Sequence, residues 1–163
     1  QQTTGVQLRD DDGTLHTENM PEALKKLKEL GVSTWAVIHC PEVGGGLDEN
    51  NNYVEVPSLK LPKGWIKGTV GAGDAFCAGI LYAAETGMDM TNALKLGACS
   101  AAASLSEVSA SDGVKTAEEV LKLYDLYGRK RGRMPSFSVR RKGNGFKCCF
   151  SSLHAARLLC GER

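Results

Sequence analysis

The sequence predicts an α/β chain in which helices and strands alternate early and helices dominate later. Three observations carry that expectation. Helix-period and strand-like runs take turns over residues 19–61, the pattern of stacked α and β layers. The stretch GTVGAGDAFCAGILYAA (68–84) reads as a glycine loop feeding a helix of small apolar residues. With 163 residues, 42% of them apolar, the chain is long enough for one compact domain with a real core. The strands are too few to complete a sheet of the usual size.

Taken in order, Asn19-Met20-Pro21-Glu22 reads as a helix start, with Asn19 as cap, Pro21 in the first turn and Glu22 as the acid of a capping box. Leu24, Leu27 and Leu30 follow at helical spacing, and Gly31 stops the helix. STWAVIH (33–39) is a short strand with Val37 and Ile38 apolar. Pro41 and Gly44-Gly45-Gly46 are expected to break it, and DENNN (48–52) to turn the chain. YVEVPSLKL (53–61) alternates as one or two strands, with Pro57 marking an edge or a break. A helix is expected from about Gly73 to Glu85, closed by Gly87, and a second, closely packed and rich in alanine and serine, over roughly Thr91–Ser106. EVSASDGVK (107–115) is a turn-rich loop. Thr116-x-x-Glu119 is a capping box that opens a last helix to about Tyr127, with Val120, Leu121 and Tyr124 inward. Trp35 and Trp65 are read as packing residues.

The net charge of +1 conceals a division. Residues 1–127 hold 10 Lys and Arg against 18 Asp and Glu, whereas residues 128–163 hold 10 against 1. Such asymmetry separates a domain over 1–127 from a basic tail over 128–163, which lacks sustained periodicity and is expected to be poorly ordered. The tail's charges, with Phe137, Phe146 and Phe150 beside them, would suit a single-stranded nucleic acid, but no nucleic-acid motif accompanies them. It reads instead as a non-homologous extension. Cys148, Cys149, His154 and Cys160 match no standard zinc spacing. No run of 18 apolar residues and no basic-then-apolar leader is visible, so neither a membrane partner nor secretion is expected. Six cysteines without a Cys-x-x-Cys pair or a disulfide framework point to a reducing, cytoplasmic setting. The chain opens on Gln1, and a cropped chain is expected on that ground.

In the glycine loop, Gly68, Gly71 and Gly73 permit backbone angles and close approaches that other residues forbid. A loop of this kind at a helix start aims unpaired N–H groups and the helix dipole at one spot, which attracts phosphate. Asp74 falls in the first turn of that helix. Residue type and spacing leave two roles open for it: a cap or dipole partner, or a base that takes a proton from a hydroxyl attacking phosphorus. The loop is not a Walker motif, because no Gly-Lys-Ser/Thr follows, and the G-x-G-x-x-G spacing fails.

TVGAGDAFCAGILYA closely resembles the C-terminal signature of the ribokinase-like (PfkB) carbohydrate kinase family, D-T-x-G-A-G-D. ALKKLKELGVSTWAVIH before it and NALKLGACSAAASLSEVSASDGVKTAEEVL after it are also similar to that family, so the resemblance covers about residues 14–125. It implies a partial ribokinase-like fold, the C-terminal part of a three-layer α/β/α sandwich. The N-terminal half, with its di-glycine sugar motif, lid strands and Asn-x-x-Glu motif near magnesium, would be lacking.

The activity implied is ATP-dependent phosphorylation of a sugar or related nucleoside hydroxyl, with Mg2+ as cofactor. Asp74 would be the base, and Gly71, Ala72 and Gly73 the anion hole. Thr69, the HCPEVG segment (39–44) with His39 and Gly44, and Ala98 would lie near nucleotide, although a strand-end histidine such as His39 also fits a structural role. Lys63 and Lys67 flank the loop and would either assist phosphate or stay solvated. Ser109–Gly113 matches a region linked to a monovalent cation. Gly68 stands where the signature has its first aspartate, which leaves potassium activation without one of its usual side chains. The resemblance allows a homodimer of the full-length protein. Two other expectations stand beside the kinase: an inactive nucleotide-binding fragment, or a nucleic-acid-binding module acting through the basic tail.

Overall fold

Helix α1 (Met20–Glu29) follows a 3-10 turn at Thr17–Asn19 and buries Met20, Ala23, Leu24 and Leu27 along one side. Each of the larger side chains contributes about 1.5–3 kcal/mol relative to exposure. Pro21 sits in the first turn as expected, but Asn19 does not cap. It continues the helical backbone conformation out of the 3-10 turn, and its Nδ2 donates to the Gln7 carbonyl at 2.9 Å. Gly31, with φ +106°, ends the helix in a Schellman arrangement: Gly31 N donates to Lys28 O and Val32 N to Leu27 O. Leu30 falls on the cap and stays 65% exposed, so the apolar stripe is one residue shorter than its spacing implies.

The computed structural model describes residues 2–109, 111–128 and, as backbone, 148–150. Strands β1 (Trp35–His39), β2 (Val43–Leu47) and β3 (Tyr53–Pro57) form an antiparallel meander, with Ala36 opposite Leu47 and Gly46 opposite Val54. β3 is the edge strand, consistent with Pro57 at its end. β4 (Cys148–Phe150) runs parallel to β1 on the other side. Those three residues of the basic tail are therefore placed in a strand. The aromatic and zinc-type readings of the tail concern side chains outside the described residues.

One sequence expectation is overturned here. Gly44-Gly45-Gly46 does not break the strand; it is the middle of β2, buried throughout. The reason is space. A Cβ on Gly44 would lie 3.1 Å from the Phe76 ring, one on Gly45 3.1 Å from Met20 Sδ, and one on Gly46 2.5 Å from Met90 Sδ. These neighbours alternate between the two faces of the sheet, as strand pleating requires. The turn comes earlier, where Cys40 and Val43 exchange backbone hydrogen bonds of 2.8 and 3.2 Å across Pro41 and Glu42.

Helices α2 (Ala72–Glu85), α3 (Met90–Ser104) and α4 (Ala117–Tyr127) cover the opposite face from α1. Trp35 and Val37 of β1 face them, while Ala36 and Ile38 face α1. Three layers, helix on sheet on helices, result. Gly87 closes α2 with the same Schellman pattern as Gly31, through Gly87 N to Ala84 O and Met88 N to Ala83 O. Asp89 caps α3 by accepting from Asn92 N at 2.9 Å. The Thr116–Glu119 capping box forms as read, a feature worth about 1 kcal/mol, and Val120 is buried with Leu121 and Tyr124 against the core. Trp35 and Trp65 both pack: Trp65 lies edge-on to Tyr127 and donates to the Ala102 carbonyl at 2.8 Å.

Candidate active site

The first turn of α2 is built by one backbone choice. Gly71 is its N-cap, in the left-handed conformation with φ +82° and ψ −4°, which costs an L side chain about 1–2 kcal/mol. The first intrahelical bond runs from Ala75 N to Gly71 O at 2.8 Å. The N–H groups of Ala72, Gly73 and Asp74 therefore precede the ladder and have no intrahelical acceptor. They project from the positive end of the helix dipole, which suits an anion and repels a cation.

Asp74 is exposed, three positions into the helix. A glycine cap has no side chain with which to share a capping box. Among the described residues no hydrogen bond or ion pair engages the Asp74 carboxylate. The cap role left open by the sequence is thus not the one this side chain plays. Its charge does reach Cys77, one turn on, whose thiol is held above its usual value by burial and then by Asp74.

Behind the turn, Phe76 anchors the helix under the sheet. Its ring stacks on the His39 ring with centroids 4.0 Å apart and planes 9° from parallel. Burial pushes the His39 imidazole down to about 4, so the ring is neutral at physiological pH. His39 stands opposite Gly44 in the sheet register, and both rest on Phe76. His39 and Gly44, the residues that flank the 40–43 turn, therefore both lie against Phe76 of α2.

The remaining predicted residues fall into two groups. Thr69 is exposed in the loop that precedes the cap. Gly68 is pressed against the 107–108 backbone, its Cβ position 3.0 Å from the carbonyls of Glu107 and Val108, so a longer side chain would force a shift. Gly44 and Ala98, by contrast, are interior: Gly44 is a strand residue, not part of a surface turn, and Ala98 is 7% exposed within the core. Lys67 faces the Glu107 carboxylate at 3.4 Å, and Lys63 is exposed. Among the described residues no three His, Cys, Asp or Glu side chains converge as metal ligands, and no helix is long and apolar enough to cross a membrane. Ser109 and Ser111 face each other at 3.5 Å; residue 110 lies outside the described residues.

Sequence reasoning missed two features. One is Phe76, which serves as the platform for His39 and carries no signal of that role in an apolar run. The other is Arg9, whose guanidinium pairs with the Glu42 carboxylate at 2.7 Å and also donates to the Gly13 carbonyl. Nothing in the sequence links two residues 33 positions apart.

Comparison with known proteins matches residues 6–117 to the pfkB family carbohydrate kinase. Over 57 residues the chain is 39% identical to the 5-dehydro-2-deoxygluconokinase of Bacillus subtilis (strain 168), covering 35% of this chain and 18% of that protein. Among solved structures, a candidate ribokinase II from E. coli in its apo form superposes with a TM-score of 0.56 at 18% identity, over 68% of this chain and 34% of that one. A candidate 2-keto-3-deoxygluconate kinase from Enterococcus faecalis gives 0.49 at 18% identity, over 86% and 39%. The E. coli structure establishes a shared fold, of which this chain spans about a third of the length.

Proposed function

The chain belongs to the pfkB family of carbohydrate kinases, and from that premise we propose that it serves transfer of the γ-phosphoryl group of ATP to a hydroxyl of a carbohydrate or related nucleoside. The observation that carries the reading is the first turn of α2, where three N–H groups free of the helix ladder lie beside an exposed carboxylate committed to no cap.

The amides of Gly71, Ala72 and Gly73 donate hydrogen bonds to the phosphoryl oxygens as charge develops on them. Asp74 accepts the proton of the acceptor hydroxyl. That oxygen bonds to the γ-phosphorus, the bond from phosphorus to the β-γ bridging oxygen breaks, and ADP leaves with the electron pair. When bound with the nucleotide, Mg2+ would supply charge neutralisation; among the described residues no cluster of His, Cys, Asp or Glu side chains is placed to hold it. Thr69, exposed in the loop, and neutral His39 would contact nucleotide. Residues 1–127 form the catalytic-domain portion and residues 128–163 a basic extension, a division supported by the charge step, although residues 148–150 of the extension pair with β1.

A second reading, a portion that holds nucleotide without turning it over, is supported by the 34% of the E. coli structure that this chain covers. Assaying phosphoryl transfer from ATP across a panel of sugars and nucleosides separates the two. The kinase reading expects transfer to at least one acceptor, lowered about 10²–10⁴-fold by Asp74→Asn. Transfer that survives that substitution intact refutes the base. No transfer to any acceptor, with Mg·ATP still protecting the first-turn amides of α2 from exchange, favours the second reading.

A further inference from the structure

Residues 9–15 form a small hairpin on the α1 side of the sheet. The Arg9–Leu15 bridge closes it, with Asp10 N donating to Thr14 O and Gly13 N to Asp10 O. Leu8 and Leu15 pack against the cluster that holds Leu24 and Ala36. His16 follows the hairpin and precedes the 3-10 turn at Thr17–Asn19 that leads into α1. Its ring nitrogens meet carboxylates from two elements. Nε2 lies 2.8 Å from Asp10 Oδ2 in the hairpin, and Nδ1 lies 3.0 Å from Glu18 Oε1 in the turn. The other Asp10 oxygen accepts from Gln7 Nε2 at 2.7 Å. An ionised carboxylate only accepts, and a neutral imidazole carries a single N–H. A neutral ring can therefore satisfy one of the two contacts and sets a lone pair against the other. Only the imidazolium donates to both. The side chain is 30% exposed, so solvent can exchange its proton. Asp12, further along the hairpin, adds charge of the same sign at longer range. Arg9, the hairpin's cation, is engaged with the Glu42 carboxylate and the Gly13 carbonyl.

We propose that His16 is a proton-operated clasp between the 9–15 hairpin and the start of α1: charged, it holds Asp10 and Glu18 together, and neutral, it releases one of them and loosens the hairpin. The inference is independent of the kinase reading. Both contacts favour the charged ring, the hydrogen bond to Asp10 first and that to Glu18 second, and they raise its pKa above the ordinary 6.5. A group raised on folding contributes fully below its unfolded value and loses that contribution as pH climbs through the folded one. Glu18 sets the acid limit. Its own backbone N–H and then His16 hold it below 4.5, so its contribution fades as pH falls from that value. The clasp is closed in mildly acid solution and opens as pH passes the raised value of His16.

The test is imidazole NMR and amide exchange on the full chain, on His16→Gln and on Glu18→Gln, at about pH 5.5 and about pH 8.5, on either side of the imidazole range. Exchange rates are divided by the intrinsic hydroxide-catalysed rate, so that only protection is compared. In the parent, corrected exchange at Asp10 and Gly13, whose N–H groups bond within the hairpin, should quicken about 2- to 5-fold between the two conditions. That step should follow the titration of the His16 ring. His16→Gln should exchange at the open rate in both conditions. Glu18→Gln, which keeps the ring and its Asp10 contact, should lower the His16 midpoint toward 6.5. A parent midpoint at or below 6.5 overturns the inference, as does parent exchange without a step. A step that persists in His16→Gln belongs to another group and overturns it too. Should His16→Gln fail to fold, the Glu18→Gln midpoint decides: unmoved, it refutes the clasp.

Discussion

Two glycine-rich stretches of this protein use the same residue for opposite ends. In Gly44-Gly45-Gly46 the missing side chains are filled from outside: Phe76, Met20 and Met90 occupy the space, and the backbone is an ordinary buried strand. In Gly71-Ala72-Gly73 the backbone itself is the working part, with Gly71 in the left-handed region and the following N–H groups left without intrahelical acceptors. The first stretch is glycine because of what its neighbours need, the second because of what its own backbone does. Substitutions in the first should act on stability and in the second on ligand.

The largest separation should come from setting Asp74→Asn against Gly46→Ala. The former should abolish nearly all turnover, by about 10²–10⁴-fold, and leave the thermal midpoint unchanged, because the carboxylate is exposed and holds nothing together. The latter should do the reverse.

The next effect lies at His39, which stands opposite Gly44 in the sheet and stacks on Phe76. Its folded value, near 4, is below the 6.5 of an open imidazole, so between those values the unfolded state binds the extra proton. Stability should be fully present above pH 6.5 and fall as pH drops toward 4, by about 3 kcal/mol at most. Urea titrations at pH 7 and pH 4 on the parent and His39→Phe measure it; a parent whose stability loss over this range equals that of His39→Phe contradicts the assignment. Gly46→Ala should cost about 1–3 kcal/mol by overpacking Met90, read as a lowered unfolding midpoint with the nucleotide affinity of the folded fraction retained. Gly71→Ala should cost only about 1–2 kcal/mol, from the φ of +82°, yet weaken Mg·ATP binding as well. A Gly71 variant with lowered stability and intact affinity would erase the contrast between the stretches.

The helices were legible because their signals are local. Gly31 and Gly87 stop helices, Thr116 and Glu119 make a capping box, and Pro57 marks an edge; each involves residues a few positions apart. β2 was misread for the converse reason. A glycine run looks like a turn until Phe76, Met20 and Met90 come to lie against it, and all three are distant in sequence. Asn19 misled similarly, since its amide is drawn away by the Gln7 carbonyl. The site divides along the same line: the loop and its acid are contiguous and readable, whereas the His39–Phe76 stack and the Arg9–Glu42 pair exist only after folding.

The central claim is that the first-turn amides of α2 receive a phosphoryl group. Following the backbone amide resonances of the full chain during titration with Mg·ATP tests it most directly. The account predicts that Gly71, Ala72 and Gly73 shift most, with a single saturating dependence on nucleotide. Resonances of these three residues that stay fixed while others saturate would place the phosphates elsewhere and contradict it.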